Sequence, residues 1–160
     1  MVMDTINAAS SWIREQVVKA GARGIVLGLS GGIDSAVVAA LARRALGPDV
    51  LGLLLPCHSH RQDTEDALTV AGHLGLETVT IDLTPVFDLL LTLLPSADAM
   101  VTANLKPRLR MMTLYHVAGL KKYLVAGTGN KSELSVGYFT KHGDGGADLL
   151  PLGDMLKSEV

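Results

Sequence analysis

The sequence predicts an α/β fold in which helices cover both faces of a parallel sheet, a three-layer α/β/α arrangement. Short aliphatic runs alternate with longer segments of helical periodicity, and such β–α–β units build parallel sheets. Three unusual loops, SGGIDS at 30–35, PCHSH at 56–60 and GTGNKSE at 127–133, directly follow predicted strands. Because ligands bind beyond the carboxyl ends of parallel strands, we expect a site where these loops meet.

The first half of the chain supplies the clearest alternation. Residues 5–20 form an amphipathic helix, because their apolar side chains recur every three to four positions. The aliphatic run at 24–29 is the first predicted strand. The segment 35–46 is apolar on most sides, as expected of a helix packed on a sheet, and 50–56 is the second strand.

The next elements are predicted from caps and β-branched residues. The third helix is expected to begin at Asp63, whose carboxylate can cap it, and to end at Gly75. Residues 77–83 alternate and are rich in β-branched side chains, so they form the third strand. Thr84 and Pro85 are predicted as the N-cap and the first residue of a fourth helix.

The last third is predicted in the same way. Asn104 is expected to cap a helix that runs through Leu120, and 123–127 is the fourth strand. Asp154 is placed to cap a final helix of only about two turns, which is marginal in isolation. We therefore expect residues 1–160 to form one domain that lacks its C-terminal segment.

The composition excludes several classes of protein. The chain of 160 residues is 48% apolar but only 4% aromatic, so one aliphatic core is expected. A formal net charge of −2 gives no overall basic footprint for nucleic acid, although it leaves a local basic patch open. Neither a signal peptide nor a membrane-spanning run is predicted. The single cysteine, Cys57, suits a reducing compartment, and we expect a cytoplasmic location.

The SGGIDS loop indicates a site for phosphate and a metal. Its glycines let backbone N–H groups approach an anion, and the following helix adds its positive end. Ser30 and Ser35 can donate hydrogen bonds. Asp34 would repel phosphate unless a divalent cation lies between them, as Mg²⁺ does. Because this loop and GTGNKSE must then share one nucleotide, the first and fourth strands are predicted to be neighbours.

Other nucleotide-binding patterns do not fit. The commonest phosphate loop requires a lysine after its glycines, and the dinucleotide fingerprint requires a third glycine where Ser132 stands. An ordinary strand–helix turn with a serine cap remains the alternative for SGGIDS. His58 and His60 form a possible metal pair, although an isolated pair of this kind more often faces solvent.

The SGGIDS loop after a first strand resembles the pyrophosphate loop of the N-type ATP pyrophosphatases, which cleave ATP between the α- and β-phosphates. The segments NLKPRLRMMTLYHVA (104–118) and GTGNKSELSVGYFTKHGDGGADLLPLGDMLKSEV (127–160) are similar to one branch, the ammonia-dependent NAD synthetases. This resemblance implies a Rossmann-like fold of the adenine nucleotide α-hydrolase type.

The resemblance also implies roles for individual residues. Asp34 and Glu133 would bind Mg²⁺. Arg108, Lys141 and Asp148 would hold the substrate deamido-NAD. Asp144 would help ammonia to lose a proton, and Lys157 would act on the ATP phosphates. The ATP site would comprise the first loop and two later residues: Gly28, Leu29, Ser30, Gly31, Gly32, Ile33, Asp34, Ser35, Thr128 and Lys157.

Each of these roles has a simpler alternative. Glu133 lies near a helix start, where an acid is stabilising without any metal. Arg108 and Arg110 are equally typical of a solvated helix face. Lys141 and Lys157 are equally typical of ordinary surface residues, and GDGG at 143–146 is typical of a flexible turn.

The implied reaction is amidation of deamido-NAD by free ammonia to give NAD, AMP and pyrophosphate, with an acyl-adenylate as intermediate. A homodimer is implied as well, and no nucleic acid or membrane partner is expected. The alternatives are another amide-forming pyrophosphatase such as GMP synthetase, and a nucleotide-binding fragment without turnover. Ammonia from a separate glutaminase subunit also remains open.

Overall fold

The protein contains one four-stranded parallel sheet, as described by a computed structural model that covers residues 2–160. The strands are β1 (Gly24–Gly28), β2 (Val50–Leu54), β3 (Glu77–Thr80) and β4 (Tyr123–Ala126). Their spatial order is β3-β2-β1-β4, and every neighbouring pair is parallel. The predicted parallel sheet and the predicted pairing of the first and fourth strands are therefore confirmed.

Seven α-helices and one 3₁₀ turn accompany the sheet within the described residues. They are α1 (Val2–Lys19), α2 (Ile33–Leu46), α3 (Arg61–Leu74), α4 (Thr84–Leu93), α5 (Ala99–Ala103), α6 (Leu105–Lys121), α7 (Lys131–Val136) and the 3₁₀ turn Lys157–Glu159. Between residues 2 and 160, no helix is both long enough and apolar enough to span a bilayer.

Two hydrophobic cores lie on opposite faces of the sheet. Along β1, Ile25 and Leu27 pack with buried residues of α1, α2 and α3. Val26, between them, packs with the buried residues of α4 and α6 on the other face. This alternation is the two-residue period of a strand, and it confirms the three-layer α/β/α prediction.

The spatial order of the strands determines where a ligand-binding site is expected. From β1 the chain adds β2 and β3 on one side, and β4 then pairs with the free side of β1. The crevice at the carboxyl ends of β1 and β4 is therefore the point where the strand order reverses. Sheets of this type bind ligands at that point.

Several predicted helix starts are wrong in detail. Helix α3 begins at Arg61, so Asp63 lies within its first turn instead of capping it. Helix α4 begins at Thr84, so Thr84 and Pro85 each lie one position further into the helix than predicted. First-turn N–H groups have no partner within a helix, so both residues are tolerated there.

The predicted side-chain cap of α6 is absent, although Asn104 does occupy the N-cap position. The backbone of Asn104 is already helical, with φ −67° and ψ −9°, and its side chain does not cap the helix. Its amide oxygen instead accepts a 2.8 Å hydrogen bond from the Thr140 hydroxyl.

Three short elements differ from the prediction. The helix expected to begin at Asp154 is absent from 154–160, where only the 3₁₀ turn Lys157–Glu159 forms. Helix α5 was not predicted, and for α7 only a helix start near Glu133 was expected; each is capped by a side chain that precedes it. Asp98 accepts from the Val101 N–H at 2.8 Å, and Asn130 accepts from the Glu133 N–H at 3.1 Å. Such local hydrogen bonds stabilise helices too short to show a clear periodicity.

Candidate functional site

A cavity of about 470 Å³ opens at the carboxyl ends of β1, β2 and β4. Its volume is within the range of small-molecule sites. Apolar side chains of β2 and α6 form part of its wall, and Ser30, Asp63, Arg110, Thr128 and Asp144 contribute polar groups. The cavity therefore lies where the sequence predicted a nucleotide, between the loops that follow β1 and β4.

The SGGIDS loop has a shape that requires glycine. Gly31 has φ +84°, a conformation that residues with side chains rarely adopt. A Cβ at Gly31 would also lie 2.5 Å from the backbone oxygen of Asp63. The loop is thus packed directly on the first turn of α3. Gly32 occupies the N-cap position of α2 and has no side chain to cap that helix.

Two serine side chains brace the same loop from inside. The buried Ser35 hydroxyl donates to the Gly32 carbonyl at 2.9 Å and accepts from the Ser30 N–H at 3.2 Å. Ser30 Oγ lies 3.1 Å from Ser35 Oγ and accepts from the Gly32 N–H at 3.2 Å. These bonds fix the backbone of the loop, so that the N–H groups at the start of α2 have a defined direction.

The loops after β1 and β4 meet in a cluster of four residues, Asp34, Asn130, Glu133 and Lys157, which we call the carboxylate cluster. Asp34 Oδ1 accepts from Asn130 Nδ2 at 3.3 Å, and Asp34 Oδ2 forms an ion pair with Lys157. Glu133 Oε2 accepts from the Asn130 N–H at 3.1 Å. Asn130 therefore joins the two acids predicted to share a metal, through its side chain to Asp34 and through its backbone N–H to the Glu133 carboxylate.

The donor set of the carboxylate cluster fits Mg²⁺. Asp34 and Glu133 supply two carboxylates from neighbouring loops, and Mg²⁺ is commonly bound by one or two carboxylates together with phosphate oxygens. Among residues 2–160, His, Cys, Asp and Glu form no group of three or more suited to a metal. Any cation held here would therefore need oxygens from its ligand.

His58 and His60 belong to no group of three or more possible metal ligands among residues 2–160. His58 Nε2 lies 2.7 Å from Asp88 Oδ1, and its ring contacts Phe87 edge-on with 5.8 Å between centroids. Both contacts attach the loop after β2 to α4, which supports the structural alternative.

Of the remaining predicted residues, Asp144 lines the cavity, whereas Arg108, Lys141 and Asp148 are not among its lining residues; all four are exposed. Arg108 Nε donates to the Lys141 carbonyl at 3.2 Å, so α6 touches the segment 138–148. Asp144 Oδ1 accepts from the Thr140 N–H at 2.8 Å within a tight turn. Arg108 contacts only the backbone carbonyl of Lys141, so the charged side chain of Lys141 takes no part in this contact.

Asp148 has a definite structural contact. Its Oδ2 accepts from the Val125 N–H at 2.8 Å on the outer edge of β4, and its Oδ1 accepts from the Tyr115 hydroxyl at 3.2 Å. Partial burial, together with the Asp148 charge, raises the pKa of Tyr115. The phenol therefore stays protonated and remains a donor to Asp148.

Sequence reasoning missed two residues at the site. The first is Asn130, which is fully buried. The Asn-x-x-Glu spacing in GTGNKSE is the signature of a capping box and could have identified this residue. Arg110 lines the cavity, and its Nε donates to the Leu55 carbonyl at 2.9 Å, which fixes the end of β2. Nothing in the sequence distinguishes Arg110 from the neighbouring cations of α6. Burial raises the pKa of the nearby Cys57 thiol, and the Arg110 charge opposes that shift.

Comparison with known proteins gives a consistent result. The family model described as NAD synthase matches residues 5–160. The chain is 48% identical over 155 residues to an NH(3)-dependent NAD(+) synthetase of Carboxydothermus hydrogenoformans, covering 94% of this chain and 64% of that protein. The chain thus spans about two thirds of the length of this curated relative.

Solved structures of NAD and NMN synthetases are also similar to this chain. An NH3-dependent NAD synthetase from Campylobacter jejuni superposes with a TM-score of 0.95 at 39% identity, covering 99% of this chain and 70% of that one. An NMN synthetase from Francisella tularensis superposes with a TM-score of 0.94 at 38% identity, covering 99% and 67% respectively.

Proposed function

The chain belongs to the NAD synthase family, and from that premise we propose that the protein catalyses ATP-dependent amidation of deamido-NAD with ammonia. The products are NAD, AMP and pyrophosphate. The observation that carries the proposal is the meeting of the SGGIDS loop with Glu133 and Lys157 at the switch point of the sheet. Ser30 and Thr128 of the same two loops line one cavity, which supports a common site for the ATP phosphates, the cation and Lys157.

The SGGIDS loop and the start of α2 hold the ATP phosphates in this proposal. Backbone N–H groups and the positive end of the helix attract the anion. Ser35 shapes the loop from within, and the exposed Ser30 hydroxyl faces the cavity side. Thr128, which also lines the cavity, contacts the same nucleotide.

Asp34 and Glu133 are the residues that would hold Mg²⁺. When bound, the ion supplies positive charge that neutralises the departing pyrophosphate. Lys157 already lies against Asp34, so its ammonium group is positioned at the same phosphates. Its role is to stabilise negative charge that accumulates as pyrophosphate leaves.

The reaction proceeds in two displacements. A carboxylate oxygen of the nicotinate group attacks the α-phosphorus of ATP, the bond to the bridging oxygen breaks, and pyrophosphate departs with that electron pair. Ammonia then attacks the carbonyl carbon of the acyl-adenylate, loses a proton and expels AMP. The protein contributes mainly position and charge. Asp144, an exposed carboxylate on the cavity wall, is the proposed proton acceptor.

Arg108, Lys141 and Asp148 hold deamido-NAD in this proposal. All three are exposed: Lys141 and Asp148 belong to the segment 138–148, of which Thr140 and Asp144 line the cavity, and Arg108 contacts that segment. The contact between Arg108 and the Lys141 carbonyl holds α6 against the segment that carries Lys141, and both residues are cations that suit a dinucleotide with its own diphosphate. Asp148 retains carboxylate lone pairs beyond those used by Val125 and Tyr115.

The proposal includes a homodimer in the cytoplasm that uses free ammonia. Exposed apolar side chains near the substrate residues support an interface, since large exposed patches commonly mark one. They include Met100, Val101, Met112 and Leu120, each at least half exposed. In this proposal, residues 1–160 form a single ATP pyrophosphatase domain, because both hydrophobic cores pack on the same sheet.

The NMN synthetase among the solved relatives makes amidation of nicotinate mononucleotide the second candidate. One experiment separates the two: the purified protein receives ATP, Mg²⁺ and ammonium with deamido-NAD, nicotinate mononucleotide or xanthosine monophosphate. We expect NAD to form at the highest kcat/KM. Preferential formation of the mononucleotide amide would establish the second candidate, and turnover of xanthosine monophosphate alone would contradict both.

A further inference from the structure

We propose that Asn130 is a positioning residue that holds Asp34 and Glu133 in register, so that the two carboxylates act on one cation. This inference rests on the proposed function, because the cation belongs to that site. It concerns a residue that contacts neither reacting group and acts only through its two neighbours.

The side chain of Asn130 is fully buried, and each of its two polar atoms has a hydrogen-bond partner. Its Oδ1 accepts from the Glu133 N–H at 3.1 Å, and its Nδ2 donates to Asp34 Oδ1 at 3.3 Å. Its own N–H donates to Glu133 Oε2 at 3.1 Å. Leaving a buried polar atom without a partner is costly, so these bonds restrict the amide to one orientation.

The chemistry of the neighbours fixes which amide atom faces which residue. The backbone N–H of Glu133 only donates, so it must face the amide oxygen of Asn130. The NH₂ group of Asn130 then points to the Asp34 carboxylate, which is an acceptor. The orientation thus follows from donor and acceptor types.

Capping of α7 alone does not account for an asparagine at this position. Ser, Thr and Asp cap helices comparably well through one oxygen. An aspartate would place a second carboxylate against Asp34, whereas the hydroxyl of serine or threonine is too short to span to it. Asparagine combines an acceptor for α7 with a donor for Asp34, which lies 96 positions earlier in the chain.

The consequence is a fixed spacing between the carboxylates. The capping box locks the Glu133 side chain to the start of α7, and the amide locks Asp34 to the same point. Mg²⁺ tolerates little deviation from octahedral geometry. Side chains that orient metal ligands in this way influence affinity without touching the metal.

The test compares Asn130→Ser, which keeps the helix cap but loses the bond to Asp34, with Gly137→Ala as the matched control. Gly137 ends α7 with φ +69° and no atom within 4 Å of an added Cβ. The control therefore weakens α7 without touching a carboxylate. Binding of Mn²⁺ is measured by electron paramagnetic resonance in the presence of α,β-methylene-ATP, alongside thermal unfolding.

We expect Asn130→Ser to weaken nucleotide-dependent Mn²⁺ binding about tenfold, while Gly137→Ala binds as the original protein does. Unchanged binding in Asn130→Ser would reduce Asn130 to a helix cap and overturn the proposal. Equal weakening in both variants would also overturn it, since helix stability would then be the cause. Absence of nucleotide-dependent Mn²⁺ binding in the unaltered protein would do the same.

Two further features keep the test decisive. Should the serine variant not fold, Asn130→Thr retains the cap with an extra methyl group and is read by the same titration. The binding measurement also requires no turnover. Failure to amidate deamido-NAD would therefore contradict the proposed function while leaving the Mn²⁺ comparison interpretable.

Discussion

The two sides of the candidate site differ in how their polar groups are held. On the nucleotide side, formed by residues 30–35 and 128–133, Ser35 and Asn130 are buried and bonded to several partners. On the substrate side, formed by residues 138–148 with Arg108 of α6, the charged groups are exposed, and Lys141, Asp144 and Asp148 lie on turns and bends. The first side is braced by the core, whereas the second is attached to it by a few surface contacts.

This difference indicates different tasks. Stabilising a departing pyrophosphate requires donors and charges that are already oriented, because reorganisation during the reaction is costly. Holding a large dinucleotide and releasing its product favours a segment of low local stability. We therefore expect substitutions on the nucleotide side to lower turnover, and those on the substrate side to act mainly on the affinity for deamido-NAD.

The largest effect is expected for Asp34→Ala. It removes one of the two carboxylates proposed for Mg²⁺, so kcat should fall about 10²- to 10³-fold. The free energy of unfolding should fall by about 1–3 kcal/mol, because the buried Asn130 Nδ2 loses its acceptor. The lost ion pair with Lys157 is partly exposed and adds only about 0–1 kcal/mol. Steady-state kinetics at saturating ATP and Mg²⁺ measure the first quantity, and urea unfolding measures the second.

The control for Asp34→Ala is Asp66→Ala, which removes an exposed acid of α3 bonded to Gln62. Its turnover should equal that of the original protein. Full activity of Asp34→Ala would remove the basis for a metal role on the nucleotide side.

The second effect tests whether the nucleotide side is braced by the fold. Gly31→Ala introduces a Cβ at φ +84° that would lie 2.5 Å from the Asp63 oxygen. The free energy of unfolding should fall by about 2–4 kcal/mol, from left-handed strain and overpacking together. Gly21→Ala, at φ +64° with open space around its Cβ, should lose only about 1 kcal/mol. Equal losses in urea unfolding would contradict the tight packing of the loop on α3.

A smaller effect is expected on the substrate side. Arg108→Ala removes a cation and its bond to the Lys141 carbonyl. The KM for deamido-NAD should rise about tenfold, as when one charge-assisted hydrogen bond is lost, while the KM for ATP stays constant. Arg61→Ala, which removes a highly exposed arginine paired with Glu65, should change neither value. An equal rise in both KM values for Arg108→Ala would mean that the two sides are not separate.

The smallest effect is expected for Asn104→Ala, which frees the Thr140 hydroxyl from α6. Because this is one neutral, partly buried hydrogen bond, kcat/KM for deamido-NAD should fall only about two- to tenfold. Amide hydrogen exchange in residues 138–148 should accelerate, while exchange in α2 remains as before. Faster exchange on both sides would contradict their independence.

The sequence predicted the sheet and its switch point because those features depend on patterns of many residues. Aliphatic runs such as 24–29 and the adjacent SGGIDS loop specify a strand, a turn and a helix at once. Asp34 and Glu133 were predicted to be close through the family resemblance, and their contacts with Asn130 bear this out.

What the sequence did not predict depends on single long-range contacts. Asn104 was expected to cap α6, but Thr140, far along the chain, takes its amide oxygen. Arg108 and Arg110 are alike in the sequence, but Arg108 donates to the Lys141 carbonyl, whereas Arg110 donates to the Leu55 carbonyl. The local sequence pattern does not specify these hydrogen-bond partners, because they depend on how distant elements pack together.

The most direct test of the account follows the oxygen of the substrate carboxylate. Deamido-NAD labelled with ¹⁸O in its nicotinate carboxylate is incubated with ATP, Mg²⁺ and ammonium, and the products are resolved by mass spectrometry. Attack of that oxygen on the α-phosphorus predicts one labelled AMP and one unlabelled pyrophosphate for each NAD formed. Label in inorganic phosphate, with ADP as the nucleotide product, would mean attack on the γ-phosphorus and would contradict the assignment of the SGGIDS loop to pyrophosphate.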